Sequence, residues 1–226
     1  MRVEYKYLLT KERYLDLKCT FDLLLSKDNY SKKGSYDVSS VYYDTENLEY
    51  YYDKANGEYK HTKMRLRTYG KEPFLGPTYF EYKIKENEDQ YKRRIRFTEL
   101  MSLWDVPSYV AEKDLDFFDH MPADLLVPTC HVFYKREAYF AGSGEKTLRL
   151  NFDSDIMMCR PGKKFENESV VFPDGHVVLE VKTPTREFFP LVKDLLSDVP
   201  LMRTTFSKYA TGVNVLGYLN GGNHGI

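Results

Sequence analysis

Lysine and arginine recur two residues apart along this chain. Lys63, Arg65 and Arg67 form one such run, Lys83 and Lys85 follow Glu81 in a second, and Lys92, Arg94 and Arg96 form a third. Further along come Arg136, then Arg149 ahead of Asn151 and Asp153. Glutamate stands two residues ahead of lysine in Glu4/Lys6, Glu81/Lys83 and Glu180/Lys182. In an extended segment residues two apart share a face, so each run presents a row of cations with an occasional carboxylate. Cations neutralise phosphate oxygens, arginine with two parallel bonds, and one or two carboxylates hold Mg2+ or Mn2+ among such oxygens. The chemistry open to such a set is the binding and transfer of phosphoryl groups. An antiparallel strand with one wet face gives the same alternation. Two features point beyond that: the charged faces favour Lys and Arg although the chain has a formal net charge of -1, and acids return on them as E-x-K pairs.

The elements that position these rows must be strands. Period-two alternation predicts strands over residues 3–8, 37–44, 63–69, 78–86, 91–97, 129–140, 146–153 and 177–183. Their opposite faces carry Met64 and Leu66; Phe80, Tyr82 and Ile84; Leu148, Leu150 and Phe152; Val177, Leu179 and Val181. Residues 70–77 and 142–144 read as turns between neighbouring strands, which favours antiparallel pairing. Helices are expected to cover the apolar faces. Thr10 caps one to about residue 26, with Tyr14, Leu17, Phe21, Leu24 and Leu25 on a stripe. Thr45 caps a short one with Leu48, Tyr51 and Tyr52. A third starts near Thr98 and includes Leu100, Leu103 and Trp104; others are expected over 190–196 and 207–218. The fold class is α+β, a single domain over residues 1–226 dominated by a large antiparallel sheet or barrel of about eight strands.

Composition excludes several functions. Hydrophobic residues at 42% and aromatics at 15% exclude a disordered chain. A formal net charge of -1 argues against a general nucleic-acid binder, so anion binding must come from local clustering. Cys19, Cys130 and Cys159 are odd in number and form no CxxC pair. They give neither a disulfide framework nor a zinc site and suit a reducing cytosol. No apolar stretch has the length of a membrane span, and the N-terminus enters a strand pattern without a signal segment, so a cytoplasmic location is expected. No P-loop is present. His61, His120, His131, His176 and His224 share no motif and read as packing or surface residues. Glu86, Glu88 and Asp89 read as a solvated turn. Tyr43 and Tyr69 either border the site or pack.

The ordered segments Glu4-Tyr5-Lys6-Tyr7, Ser40-Val41-Tyr42-Tyr43-Asp44-Thr45, Met64-Arg65-Leu66-Arg67-Thr68-Tyr69-Gly70 and Phe80-Glu81-Tyr82-Lys83 carry a resemblance. It continues through Tyr91-Lys92-Arg93-Arg94, Tyr134-Lys135-Arg136-Glu137-Ala138-Tyr139, Leu148-Arg149-Leu150-Asn151-Phe152-Asp153, Val178-Leu179-Glu180-Val181-Lys182 and Phe206-Ser207-Lys208-Tyr209. Together they resemble the vacuolar transporter chaperone (VTC) polyphosphate polymerase family, within the triphosphate tunnel metalloenzymes, over nearly the whole chain. The resemblance implies a closed antiparallel β-barrel forming a basic tunnel with flanking helices. It also implies synthesis of inorganic polyphosphate from ATP, with Mn2+ or Mg2+ as cofactor.

By the same resemblance Lys6, Arg65, Arg67, Lys83, Arg136, Arg149, Lys182 and Lys208 match phosphate-binding positions. Lys92 and Arg94 join them as substrate-binding residues, and Glu180 matches the principal metal carboxylate, with Glu4 as its companion. Lys6, Arg65, Arg67 and Lys83 then hold the triphosphate in line. A metal on Glu180 neutralises developing charge, and the remaining cations hold acceptor or product. The acceptor is a growing polyphosphate chain, with orthophosphate or pyrophosphate as starting acceptors. The broader tunnel superfamily opens with E-x-E-x-K, whereas the first acidic position here is Arg2. That departure argues against a two-metal triphosphatase or an adenylate cyclase. The alternatives are a tunnel hydrolase of tripolyphosphate or nucleoside triphosphates, and a non-catalytic polyphosphate-binding module. No SPX domain or membrane segment like those of the fungal complexes is read, so coupling to translocation is not implied, and no protein partner is indicated.

Overall fold

Cations alternate with branched and aromatic residues in these runs, a composition that suits a pleated, half-buried ribbon, and the runs do form strands. A computed structural model describes residues 3–87, 89–113, 125–142, 147–165, 169–171, 175–183, 194, 196 and 202–218. In chain order the elements begin β1 (Val3–Thr10), α1 (Lys11–Leu24), β2 (Ser26–Lys27), β3 (Tyr36–Thr45), α2 (Glu49–Ala55), β4 (Lys60–Thr68), β5 (Thr78–Glu86) and β6 (Asp89–Phe97). They continue α3 (Val106–Lys113), β7 (Leu126–Ala141), β8 (Leu148–Cys159), β9 (Val170–Val171), β10 (His176–Thr183), β11 (Met202–Arg203) and α4 (Lys208–Val215). The fold is α+β and mostly antiparallel sheet. The chain divides into two compact units, each assembled from three segments.

The first unit comprises Met1–Asp37, Tyr134–Ile156 and Val171–Phe206. Its hydrogen-bonded strand order is β11-β1-β10-β8-β7, with β2 also on β7. Leu148, Leu150, Phe152, Val177, Leu179 and Val181 are buried on one face together with Leu17 and Phe21 of α1. Phe21 stacks on Phe152 at 5.2 Å between ring centroids. Thr10 begins α1 as expected, its hydroxyl accepting from the Arg13 amide at 3.3 Å. Leu24, expected on the same stripe, stays 52% exposed.

The second unit comprises Val38–Phe133, Met157–Val170 and Ser207–Ile226. Its strand order is β7-β3-β4-β5-β6. Val41, Tyr43, Met64, Leu66, Phe80 and Tyr82 form its core with Val106 and Val110 of α3. The helix expected from Thr98 begins only at Val106, leaving Leu100 78% and Trp104 62% exposed. Pro107 accounts for the shift: a helix running on from residue 98 would need an amide proton there, whereas in the first turn its absence costs nothing.

The hydrogen-bonded order ends at β11 in the first unit and at β6 in the second, and no pairing among the described residues closes it. The turn expected at 142–144 and the helix expected over 190–196 lie largely outside the described residues.

Candidate active site

In the second unit, register sets the cations side by side. Arg65 of β4 lies opposite Glu81 of β5, which lies opposite Arg94 of β6. The neighbouring row is Lys63, Lys83 and Lys92, three cations at directly opposed positions on one face. Glu81 is 5% exposed. Its Oε2 accepts from Arg65 Nε at 2.7 Å and Arg65 Nη2 at 2.6 Å, with Arg67 Nη1 3.8 Å away. Arg94 Nε stands 3.5 Å from Oε1. Burial pushes the Glu81 carboxyl up, but Arg65, Arg67 and Lys92 outweigh it and hold it well below the usual carboxylate range. Glu81 thus anchors the arginines as a permanent anion and is no base for abstracting a proton. Lys92 is held below the usual lysine range by burial of its ammonium and by Arg65, Arg67 and Arg94, against the pull of Glu81.

Aromatic rings fix the guanidinium groups. Arg94 lies 3.5 Å from the centroid of Tyr79 and donates to the Tyr69 hydroxyl at 3.3 Å. Burial raises the Tyr69 phenol, but Arg67 and Arg94 bring it below the ordinary tyrosine range. Tyr42 accepts from Arg65 Nη1 at 3.4 Å and lies under Lys63 Nζ at 5.1 Å. Tyr42 in turn stacks on Tyr209 at 5.4 Å. The Tyr209 hydroxyl donates to Asp44 Oδ2, and the Tyr50 and Tyr51 amides at the start of α2 donate to the same carboxylate at 3.0 Å each. Lys208, next to Tyr209, opens α4 and is 7% exposed.

In the first unit the rows run across β1, β10 and β8. Lys6 pairs with Glu180 and Glu180 with Asn151; Glu4 pairs with Lys182 and Lys182 with Arg149. Arg136 grips Asp153 with two bonds, Nε to Oδ1 at 2.6 Å and Nη2 to Oδ2 at 2.7 Å, and Nη2 also reaches Glu180 Oε2 at 3.2 Å. Lys182 Nζ lies 3.4 Å from Glu180 Oε2 and 4.0 Å from Glu4 Oε2. Lys6 Nζ pairs with Glu4 Oε1 at 3.2 Å and donates to the Phe206 carbonyl at 3.0 Å. Burial and the charge of Glu180 push Glu4 up; Lys182 and Lys6 outweigh them and leave it below the ordinary range. Arg149 is exposed and lies 5.0 Å from the Phe140 ring.

Glu4 and Glu180 feel each other's charge and share Lys182, an arrangement that a divalent cation relieves. Among the described residues no group of three or more His, Cys, Asp or Glu side chains is placed to hold a metal ion. Two carboxylates fit Mg2+ or Mn2+ taking its other oxygens from phosphates and water.

All the sequence-predicted site residues lie on described elements. Lys6, Glu4, Glu180, Lys182, Arg149 and Arg136 gather in the first unit; Arg65, Arg67, Lys83, Lys92, Arg94 and Lys208 belong to the second. Glu81, Asp153, Tyr42, Tyr209 and Asp44 were not singled out as site residues. Glu81 and Asp153 carried a signal, since they interrupt cation rows. Tyr42, Asp44 and Tyr209 stand in segments that carry the resemblance, but their contacts join distant parts of the chain and could not be read from it.

The VTC domain family model matches residues 1–217. The chain belongs to the VTC domain family. No match is found among curated proteins. Among solved structures, this VTC domain is similar to a Bacillus halodurans protein described as a candidate adenylate cyclase, at TM-score 0.53 and 10% identity, over 92% of this chain and 94% of that one. It is also similar to a Hippeastrum candidate adenylyl cyclase whose dominant activity is that of a triphosphatase, at TM-score 0.58 and 14% identity, over 96% of this chain and 97% of that one. At these identities the VTC domain shares their fold.

Proposed function

We propose that this VTC domain is a metal-dependent phosphotransferase that moves the γ-phosphate of ATP onto inorganic polyphosphate, acting in the cytoplasm. One observation carries the reading. Directly opposed lysines, Lys63, Lys83 and Lys92, stand in the row beside Arg65 and Arg94, an arrangement that a polyanion stabilises. Closure of the strands into the tunnel expected from the sequence is part of the same proposal.

Phosphoryl transfer asks of a protein mainly position and charge. Arg65, Arg67 and Lys83 orient the phosphates of ATP, and Glu81 fixes the guanidinium groups before substrate arrives, so little reorganisation is needed in the transition state. Lys92, Arg94 and Lys208 neutralise further phosphate oxygens. Lys6, Lys182, Arg149 and Arg136 supply the cationic surroundings of Glu180. Glu180 with Glu4 would hold Mg2+ or Mn2+, whose chemistry is to neutralise charge on the transferring group. A terminal phosphate oxygen of the acceptor attacks the γ-phosphorus, the bond to the β-phosphate oxygen breaks, and ADP leaves. Two features favour polyphosphate over water as acceptor: the carboxylate amid the arginines is bound by them and cannot activate water, and Arg2 stands where tunnel hydrolases carry an acid.

The Hippeastrum neighbour's triphosphatase activity makes hydrolysis of tripolyphosphate or nucleoside triphosphates the second reading, and non-catalytic polyphosphate binding the third. Incubating the purified protein with ATP and Mn2+ or Mg2+ separates them. Long-chain polyphosphate is expected, with at least about a hundred-fold lower rate in Glu180→Gln. Free phosphate alone supports the hydrolase, and binding without turnover supports the third reading.

A further inference from the structure

Asn151 is 2% exposed, and its Oδ1 has no hydrogen-bond partner among the described residues. It lies on the charged face of β8, two residues from Arg149 and from Asp153, and Asp153 is taken up by Arg136. A buried amide oxygen without a donor destabilises a fold, and native proteins seldom keep one without a reason. Register supplies the reason: Asn151 is directly opposite Glu180, in the row that continues to Lys6. Directly opposed residues hold their Cβ atoms roughly 4.5–5.5 Å apart. Two side-chain oxygens can converge across that gap on a cation whose ligands lie about 2.1 Å away.

We propose that Asn151 Oδ1 is a ligand of the divalent metal, completing with Glu180 and Glu4 an all-oxygen protein set for Mg2+ or Mn2+. The inference rests on the metal-dependent reading above and deepens it. An amide oxygen suits this place. It donates electron density to a hard cation without adding a third negative charge beside Glu4 and Glu180, whose charges already oppose each other. A buried water bridging Asn151 to a neighbour is the competing explanation, and it makes an opposite prediction.

The test is a Mn2+ titration of the whole protein without nucleotide, read by the electron paramagnetic resonance signal of unbound Mn2+. It is run beside chemical denaturation of the metal-free protein, on the wild type, Asn151→Leu, Asn151→Asp and Glu180→Gln. Asn151→Leu is expected to weaken Mn2+ binding about ten-fold or more, yet leave the metal-free fold as stable as the wild type or more so, because an unanswered acceptor is gone. Asn151→Asp is expected to keep or tighten Mn2+ binding. Unchanged Mn2+ affinity in Asn151→Leu overturns the proposal, as does a loss of metal-free stability that accounts for weaker binding. Should Asn151→Leu fail to fold, Asn151→Ala is read by the same criteria. If Glu180→Gln abolishes Mn2+ binding and the Asn151 variants do not alter it, only the role of Asn151 falls. If the wild type binds no Mn2+, the metal-dependent reading falls with it.

Discussion

A guanidinium whose fork closes on one carboxylate while the same nitrogen touches a second is held from two sides. Arg136 stands so between Asp153 and Glu180, and it is 9% exposed. Removing Asp153 leaves Arg136 its contact with Glu180 but takes away the carboxylate its fork closes on. Asp153→Asn is therefore expected to lower stability by about 1–3 kcal/mol, measured by urea denaturation; an unchanged urea midpoint would contradict the pairing. On the other cluster, Arg94 Cζ lies 3.5 Å from the Tyr79 ring centroid and Nη2 donates to the Tyr69 hydroxyl. Arg94→Lys keeps the charge but loses the guanidinium's contact with the ring and its fork, so kcat/KM for ATP is expected to fall about ten-fold, with the thermal midpoint little changed. The cation rows could be read from alternation alone. What could not be read was which carboxylate each cation meets. Arg65 and Glu81, for example, lie sixteen residues apart along the chain and touch only because nine residues separate β4 from β5 and fix their register.

Helix α4 shows how an element is seated by one missing atom. A Cβ on Gly212 would stand 2.2 Å from Cys130 Sγ, so only glycine lets the helix lie this close to β7. Gly212→Ala is expected to cost about 1–3 kcal/mol. Adding Cys130→Ala, which removes the obstructing sulfur, is expected to restore most of it; urea midpoints of the single and double variants decide. The same helix carries Lys208, and its place is also set by Tyr209 on Asp44, by Tyr51 on Asn214 at 2.7 Å and by Tyr218 on the Thr129 carbonyl at 2.6 Å. At this scale the sequence was most informative for the strands, whose period-two signal survives packing, and for helices with a plain cap such as Thr10 or Ser207. It misled at α3, where apolar Leu100, Leu103 and Trp104 suggested a stripe and Pro107 decided the start. At α2 the N-cap is Leu48, at φ 57°, and not the expected Thr45; Thr45, three residues before it, still accepts the Glu49 amide at 3.2 Å, and the carboxylate of Asp44 accepts the next two amides.

At the scale of the molecule, each of the two units holds a hydrophobic cluster and a cation cluster among the described residues, and no linker in the sequence announced the division. The reason is physical: β7 and β8 each contribute residues to both units, so alternation continues without a break in composition. One buried group gives the folded chain a pH dependence. His131 is 3% exposed, its Nε2 lies 2.6 Å from Ser39 Oγ, and burial pushes its imidazole down to about 3 from an ordinary 6.5. The unfolded chain binds the proton first, so the stability His131 supports is complete above pH 6.5 and is lost as pH falls toward 3. Glu81, also held low, adds a loss that begins only below its ordinary value of 4.5. The urea midpoint is therefore expected to drop between about pH 7 and about pH 5 in the wild type and to drop less in His131→Gln; equal slopes would refute the assignment. The three-segment construction of each unit also decides how the protein can be taken apart. A chain ending at Phe133 keeps only residues 1–37 of the first unit, without β7's second half, β8 or β10. No single cut, whether by a protease or by truncation of the gene, can release either unit whole.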